Sequence, residues 1–275
     1  MTATCPYCGA DVKVTKAGAL YKHGDCPGGG HQLNTGGTIN TVAAGLSGTR
    51  ASVSPAALTA VYLVRMGKRN EELRYSIRSL ANAGIDRVVL VGYKPPWLDG
   101  VEHLPTGQAD RAERARNIRR GYEAIAADGP DEFVLFNDDF FVMRNVTIEP
   151  THRGPLSALL HQARPTGYYK GLRAAADLLG PDALAYDAIH TPLPMTRAAL
   201  TAALEMFDGT HGVRTVTGNL LGYGGIEHPN AKNPPAERWN ELTYLSTSDK
   251  SFKYRPIGAH IRRRFGHRSR FEVEQ

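Results

Sequence analysis

The sequence has few cysteines and no long apolar run, and each shortage excludes a class. Only three cysteines stand in 275 residues, at positions 5, 8 and 26. A disulfide-stapled secreted domain is therefore not expected, and the clustering points to a local metal site. No apolar stretch approaches the ~20 residues needed to span a bilayer. The N-terminus lacks the basic-then-apolar layout of a signal peptide, so a cytoplasmic protein without membrane partners is expected. No internal repeat is visible. Acid is scarce against base: 27 Asp and Glu face 33 Lys and Arg, for a net charge of +6. That favours anionic partners such as nucleotide phosphates, nucleic acid or acidic surfaces, without choosing among them. Part of the excess is local, in Arg262-Arg263-Arg264-Phe265-Gly266-His267-Arg268-Ser269-Arg270. Such an end reads first as a solvated tail and second as a nucleic-acid contact.

What remains is ordinary for a globular chain: 41% hydrophobic and 22% charged residues, enough for one large domain and a small appendage. Residues 1–31 form a Cys/His-rich module. Residues 32–56 are mostly small and polar, cannot bury much apolar surface, and read as a flexible linker. Residues 57–275 form the main domain. There Ala60-Val61-Tyr62-Leu63-Val64, Arg87-Val88-Val89-Leu90-Val91-Gly92 and Glu132-Phe133-Val134-Leu135-Phe136 are apolar, partly β-branched runs that read as buried strands. Between the first two, residues 70–83 read as a helix. Asn70 would be its N-cap, Glu71 and Glu72 suit its first turn, and Leu73, Ile77 and Leu80 give one apolar face. Residues 109–127 read as a long Arg-rich helix. Further helices are expected near 153–163, 171–179 and 196–207. Strand, helix, strand, helix, strand implies an α/β fold with a parallel sheet.

In open α/β sheets ligands sit beyond the carboxyl ends of the strands. The third strand ends there at Asn137-Asp138-Asp139, followed by Phe140-Phe141-Val142-Met143. Asn-Asp is also ordinary turn chemistry. Apolar residues on both sides, however, set the acids at the edge of a core, where carboxylates without compensation cost several kcal/mol. Oxygen ligands of this kind suit Mg²⁺ or Mn²⁺, which would neutralise charge on a diphosphate. On the helix over 70–83, Arg74 and Arg78 are four residues apart and share a face. Two guanidinium groups there can clamp phosphate, or pair within the helix with Glu71 and Glu72.

In the N-terminal module, Cys5-Pro6-Tyr7-Cys8 sets two thiolates two residues apart, and His23 and Cys26 repeat the gap. Cys5, Cys8, His23 and Cys26 describe a closed structural Zn²⁺ site, with His31 a rival for His23. A piece this short needs such a staple to fold. The segment resembles small zinc modules near the N-termini of many actinobacterial and phage proteins.

The main domain resembles the Stealth family, which includes bacterial capsular polysaccharide phosphotransferases and the lysosomal GlcNAc-1-phosphotransferase. The strand Ala60–Val64 is similar to the family's first motif. The segment from Arg69 to Ser79 (Arg-Asn-Glu-Glu-Leu-Arg-Tyr-Ser-Ile-Arg-Ser) is a close match. Pro95-Pro96-Trp97-Leu98 and His103-Leu104-Pro105-Thr106 also fit, and Phe136-Asn137-Asp138-Asp139-Phe140 resembles its acidic metal motif. Looser matches run through His190, Arg214 and Asp249. The resemblance covers roughly residues 58–250. It implies a Rossmann-like, GT-A-like nucleotide-sugar transferase fold, a nucleotide-sugar donor, and Mg²⁺ or Mn²⁺ on Asp138 and Asp139. It also implies Asp139, His190, Arg214 and Asp249 around the transferred group. Glu72, Arg74, Arg78, Asn117 and Asn137 would bind substrate or phosphate. The chain departs from the first motif at Val64-Arg65-Met66-Gly67-Lys68, which has neither the family's Trp nor its acidic residue.

The expected function is thus a transferase moving a sugar or a sugar-1-phosphate to an acceptor hydroxyl on a glycan, a protein or modified DNA. The alternative is a non-enzymatic, zinc-containing nucleic-acid-binding protein. Its binding would weaken steeply with salt.

Overall fold

A computed structural model describes residues 2–4, 11–13, 58–67, 70–107, 114–161, 166–180, 182–187 and 189–273. The chain divides into two compact units, Met1–Arg50 and Ala51–Gln275. In the first, strands β1 (Thr2–Thr4) and β2 (Asp11–Lys13) pair antiparallel, with Ala3 opposite Val12. The expected zinc ligands Cys5, Cys8, His23 and Cys26, the rival His31, and the linker over 32–56 lie outside the described residues.

The second unit is a mixed α/β domain compatible with a Rossmann-like fold. Its sheet joins β3 (Thr59–Val64), β4 (Arg87–Gly92), β5 (Glu102–Pro105), β6 (Glu132–Phe136) and β9 (Leu193–Thr196) in the order β5-β4-β3-β6-β9. All neighbours are parallel except β6 and β9. Strand alternation sorts the side chains of β3. Ala60, Tyr62 and Val64 face one layer with Leu73, Ile77 and Leu80, while Val61 faces the other with Tyr122, Ile125, Leu200 and Val216.

The first layer is built on helix α1 (Glu71–Ser79), which a 3-10 turn extends over Leu80–Ala83. The second uses α2 (Arg114–Asp128), α5 (Arg197–Met206) and α6 (Val213–Leu220). Helix α2 rides close on the sheet at Gly121, where a Cβ would stand 2.6 Å from Leu63 Cδ2. Helices α3 (Leu156–His161) and α4 (Gly167–Leu179) form a small satellite core around Leu156 and Leu172.

Two short pairings complete the site end. Strand β7 (Phe140–Val142) pairs antiparallel with β11 (Tyr244–Ser246), and β8 (Thr151–His152) pairs parallel with β10 (Ile226–Glu227). After β11 come α7 (Asp249–Tyr254) and α8 (Pro256–Arg264).

Two local expectations are corrected. Asn70 makes no side-chain cap. It sits at φ 45° and its amide donates instead to the Arg65 carbonyl at 3.0 Å. The basic segment 262–270 is an ordered part of the domain, although Arg263, Arg264, His267, Arg268 and Arg270 stay exposed. It begins in α8, Arg262 pairs with Glu71 at 2.8 Å, and Arg264 donates to the Met143 carbonyl. Helix α8 packs Ile257 and Ile261 against Phe141, Leu245 and Phe252, which sets Arg262 and Arg264 against the domain surface.

Candidate active site

From β3 the chain steps to β4 and β5 on one side of the sheet, whereas β6 lies on the other side. The crevice between the carboxyl ends of β3 and β6 is thus the topological switch point, where open α/β sheets bind ligands. β3 delivers Arg65 there and β6 delivers Asn137, Asp138 and Asp139 in a tight turn closed by Phe140 N–H donating to the Asn137 carbonyl at 3.2 Å. Buried Phe136 and Phe140 flank the turn and hold the two acids half-buried.

Helix α1 enters the same crevice by its N-terminus, placing Glu72 at 9% exposure. Its inner face is stitched to the acidic turn by small polar groups. Ser76 bonds Tyr62 Oη at 3.0 Å and donates to the Phe140 carbonyl, and Ser79 Oγ accepts from Val142 N at 3.0 Å. The exit of β11 closes the other wall. Thr247 Oγ1 donates to Glu72 at 2.5 Å, and Thr247 N donates to the Asp139 carbonyl at 3.2 Å. Asp249 opens α7, capped by Ser248, and forms an ion pair with Arg65.

Glu72, Asp138, Asp139 and Asp249 therefore share one rim, and their charges act on one another. Burial, then repulsion from Asp139, push Asp138 up to about 7, against the pull of Arg65. Burial pushes Glu72 up to about 8; the Thr247 hydrogen bond opposes this, and the charges of Asp138, Asp139 and Asp249 add to it. Burial also raises Asp139, with Lys232 Nζ, 3.6 Å away, holding it back. Asp249 alone lies low. Burial raises it, but the charge and hydrogen bond of Arg65 outweigh that. Arg65 on Asp249 and Lys232 beside Asp139 are the paired cations of the rim, and Glu72, Asp138 and Asp139 are still pushed toward their protonated forms.

An oxygen-donor set of this kind fits Mg²⁺ or Mn²⁺, which take one or two carboxylates and fill other positions with water or substrate phosphate. Among the described residues no three His, Cys, Asp or Glu side chains converge as a ready-made cage.

The remaining expected residues divide. His190 packs beside the residue that follows the acidic turn, its ring edge-on to Phe140 with centroids 6.4 Å apart. Arg214, 5% exposed, stands behind it. Its guanidinium carbon is 5.5 Å from the Phe140 ring centre, one terminal nitrogen donates to the Thr191 carbonyl at 2.6 Å, and its Nε is buried with no partner among the described residues. Asn117 is half-buried near the start of α2, on the side of the sheet where the parallel strands end.

Arg74 and Arg78 are not at the rim interactions. Arg78 grips Glu272 at 2.7 Å with both carboxylate oxygens engaged, and Arg74 reaches the same group at 3.2 Å while stacking on Trp97. Among the described residues Glu71 meets Arg262 instead, at 2.8 Å.

Several residues of the site escaped the sequence reading. Arg65, Thr247 and Lys232 carry no motif spacing. Ser76 and Ser79 had a signal, being three apart among the apolar positions of an amphipathic helix. A cavity of about 220 Å³ adjoins Asp249 in sequence, lined by Asn233, Ser248, Lys250, Ser251 and Arg255.

No protein-family model matches this chain, and comparison with curated proteins finds no significant match. The class that fold and site define is an α/β domain with an acidic crevice at its switch point. Among the described residues no helix is long and apolar enough to cross a membrane.

Proposed function

We propose that this chain is a transferase that moves a sugar or a sugar-1-phosphate from a nucleotide-sugar donor to an acceptor hydroxyl. One feature carries the reading: Glu72, Asp138, Asp139 and Asp249 gather at the switch point, with Arg65 paired to Asp249 and Lys232 3.6 Å from Asp139, and the charges of the acids push Glu72 and Asp138 upward. Such an arrangement costs stability, and perturbed groups in a cleft mark functional sites. The resemblance of residues 58–250 to the Stealth family supplies the reaction class.

Asp138 and Asp139 would hold Mg²⁺ or Mn²⁺, with Glu72 beside them. When bound, the ion would supply charge neutralisation on the donor diphosphate. Arg65 fixes Asp249 and keeps its carboxylate ionised at the mouth. Lys232 and the buried Arg214 supply positive charge on the Phe140 side, where phosphate oxygens would lie. His190 takes the acceptor hydroxyl proton as the oxygen attacks. Attack on the anomeric carbon releases the nucleoside diphosphate. Attack on the β-phosphate releases the nucleoside monophosphate and transfers sugar-1-phosphate. Acceptor glycan, protein and modified DNA all present such a hydroxyl. The module of Cys5, Cys8, His23 and Cys26 would carry structural Zn²⁺ apart from this chemistry.

The test is a thermal-shift panel of UDP-, GDP-, CMP- and dTDP-sugars with Mn²⁺. One donor should stabilise the wild type, and Asp139→Asn should lose that shift. Absence of a shift with every donor contradicts the reading. The mass of the product then separates a hexose adduct from a phosphohexose adduct.

A further inference from the structure

The loop after β10 carries a residue that sets the chemistry of His190. We infer that Asn230 is the positioning residue of His190, holding its ring with the proton on Nδ1 and the lone pair on Nε2. This deepens the transferase reading and rests on it for its catalytic meaning.

A single oxygen fixes the tautomer. Asn230 Oδ1 accepts the backbone N–H of Lys232 at 2.9 Å. A backbone N–H can only donate, so the amide cannot be turned the other way without setting two donors face to face. The same Oδ1 faces His190 Nδ1 at 2.9 Å. An oxygen fixed as acceptor requires a donor there, and Nδ1 must carry the proton. In a neutral imidazole the other nitrogen is then the base.

The backbone around this contact is over-determined. His190 holds φ 59°, a left-handed conformation that costs an L-residue energy and persists only where neighbours enforce it. They do so on both sides. The Ile189 carbonyl accepts from Ala231 N at 3.0 Å, and the Thr191 carbonyl accepts from Arg214. The loop is itself tied to β11, with Ser246 N donating to the Ala231 carbonyl at 2.8 Å and Asn233 N donating to the Ser246 carbonyl at 2.8 Å. One four-residue stretch, Asn230 to Asn233, therefore orients His190 through its first residue and reaches Asp139 through Lys232.

The experiment uses the full chain labelled with ¹⁵N-histidine and two-bond ¹H–¹⁵N correlation spectra above pH 8. His190→Gln identifies the signal among ten histidines. The wild type should show His190 protonated at Nδ1. Asn230→Ala should move the ring to the Nε2–H form that imidazole otherwise favours, and Asn230→Asp, which keeps an acceptor oxygen, should retain Nδ1–H. Wild-type His190 protonated at Nε2, or a tautomer unchanged in Asn230→Ala, overturns the inference. With the donor found above, Asn230→Ala should lower kcat by roughly tenfold or more with donor KM little changed, and Asn230→Asp should restore much of it. An unchanged kcat beside a changed tautomer overturns the positioning role. Lack of transfer by the wild type with every donor, beside the expected tautomers, removes the transferase reading and leaves the Asn230–His190 pairing standing.

Discussion

Helix α1 meets two groups of charge, and they are settled in opposite ways. At its first turn Glu72 faces Asp138, Asp139 and Asp249, and three of the four carboxyls are pushed upward. Further along, Arg74 and Arg78 converge on Glu272, whose side chain is 1% exposed and whose carboxyl is held low. Burial acts upward on both. At Glu272 the two guanidinium groups and Ser269 outweigh it, and the group is saturated. At the rim Arg65 and Lys232 do not, and the carboxyls of Glu72, Asp138 and Asp139 stay raised. A buried carboxylate is thus no sign of a site by itself; the balance of its partners decides.

The contrast can be broken from either end. Glu272→Ala leaves two guanidinium groups without their partner in a largely buried setting, and should cost about 3–5 kcal/mol in urea unfolding. The folded fraction should keep its kcat, since Glu272 meets the side chains of Arg74 and Arg78 and none of the rim. A kcat lost together with stability would merge the two regions. Asp139→Asn should do the reverse, lowering transfer by about 10²–10³-fold. Without added metal at pH 8 its melting temperature should equal or exceed that of the wild type, because a repelling charge is gone. A clear destabilisation would mean that Asp139 is held for structure.

A pH series sharpens the same point. Asp138 and Glu72 in the folded chain keep protons that the unfolded chain has released, up to about 7 and 8. Their contribution is complete below the ordinary carboxylate range and is lost as pH rises through those values. The metal-free melting temperature should therefore fall between pH 5 and 9, by on the order of 5 °C, and Mn²⁺ should remove most of the fall. A flat profile would contradict the shared rim. The smallest effect belongs to Arg87 and Glu102, an exposed pair at 2.5 Å across β4 and β5. Glu102→Gln should cost less than about 1 kcal/mol, and less still in high salt.

The sheet was legible in the sequence where local chemistry is self-sufficient. The runs at 60–64, 87–92 and 132–136 are apolar enough to be strands wherever they lie, and Leu73, Ile77 and Leu80 mark the buried face of α1. The position of Asp138 and Asp139 followed from the end of β6. The partners did not follow. Glu272 lies 198 residues from Arg74 and 194 from Arg78, in a segment with no periodicity, so nothing near the arginines shows what they meet. Asn230 and Lys232 stand in an irregular stretch among prolines, and only the pairing of its backbone with Ser246 and Ile189 brings them to the rim. Asn70 illustrates the converse. Its type suited a cap, but φ 45° turned its amide back to Arg65.

Transfer at this rim requires that it take up a divalent cation. The direct measurement is Mn²⁺ titration of the full chain followed by electron paramagnetic resonance, comparing the wild type with Asp138→Asn/Asp139→Asn at pH 8. The expected result is one Mn²⁺ held by the wild type and lost in the double variant, with affinity strengthened by the donor that stabilises the protein. Equal Mn²⁺ uptake by both proteins, or none by either, would contradict it.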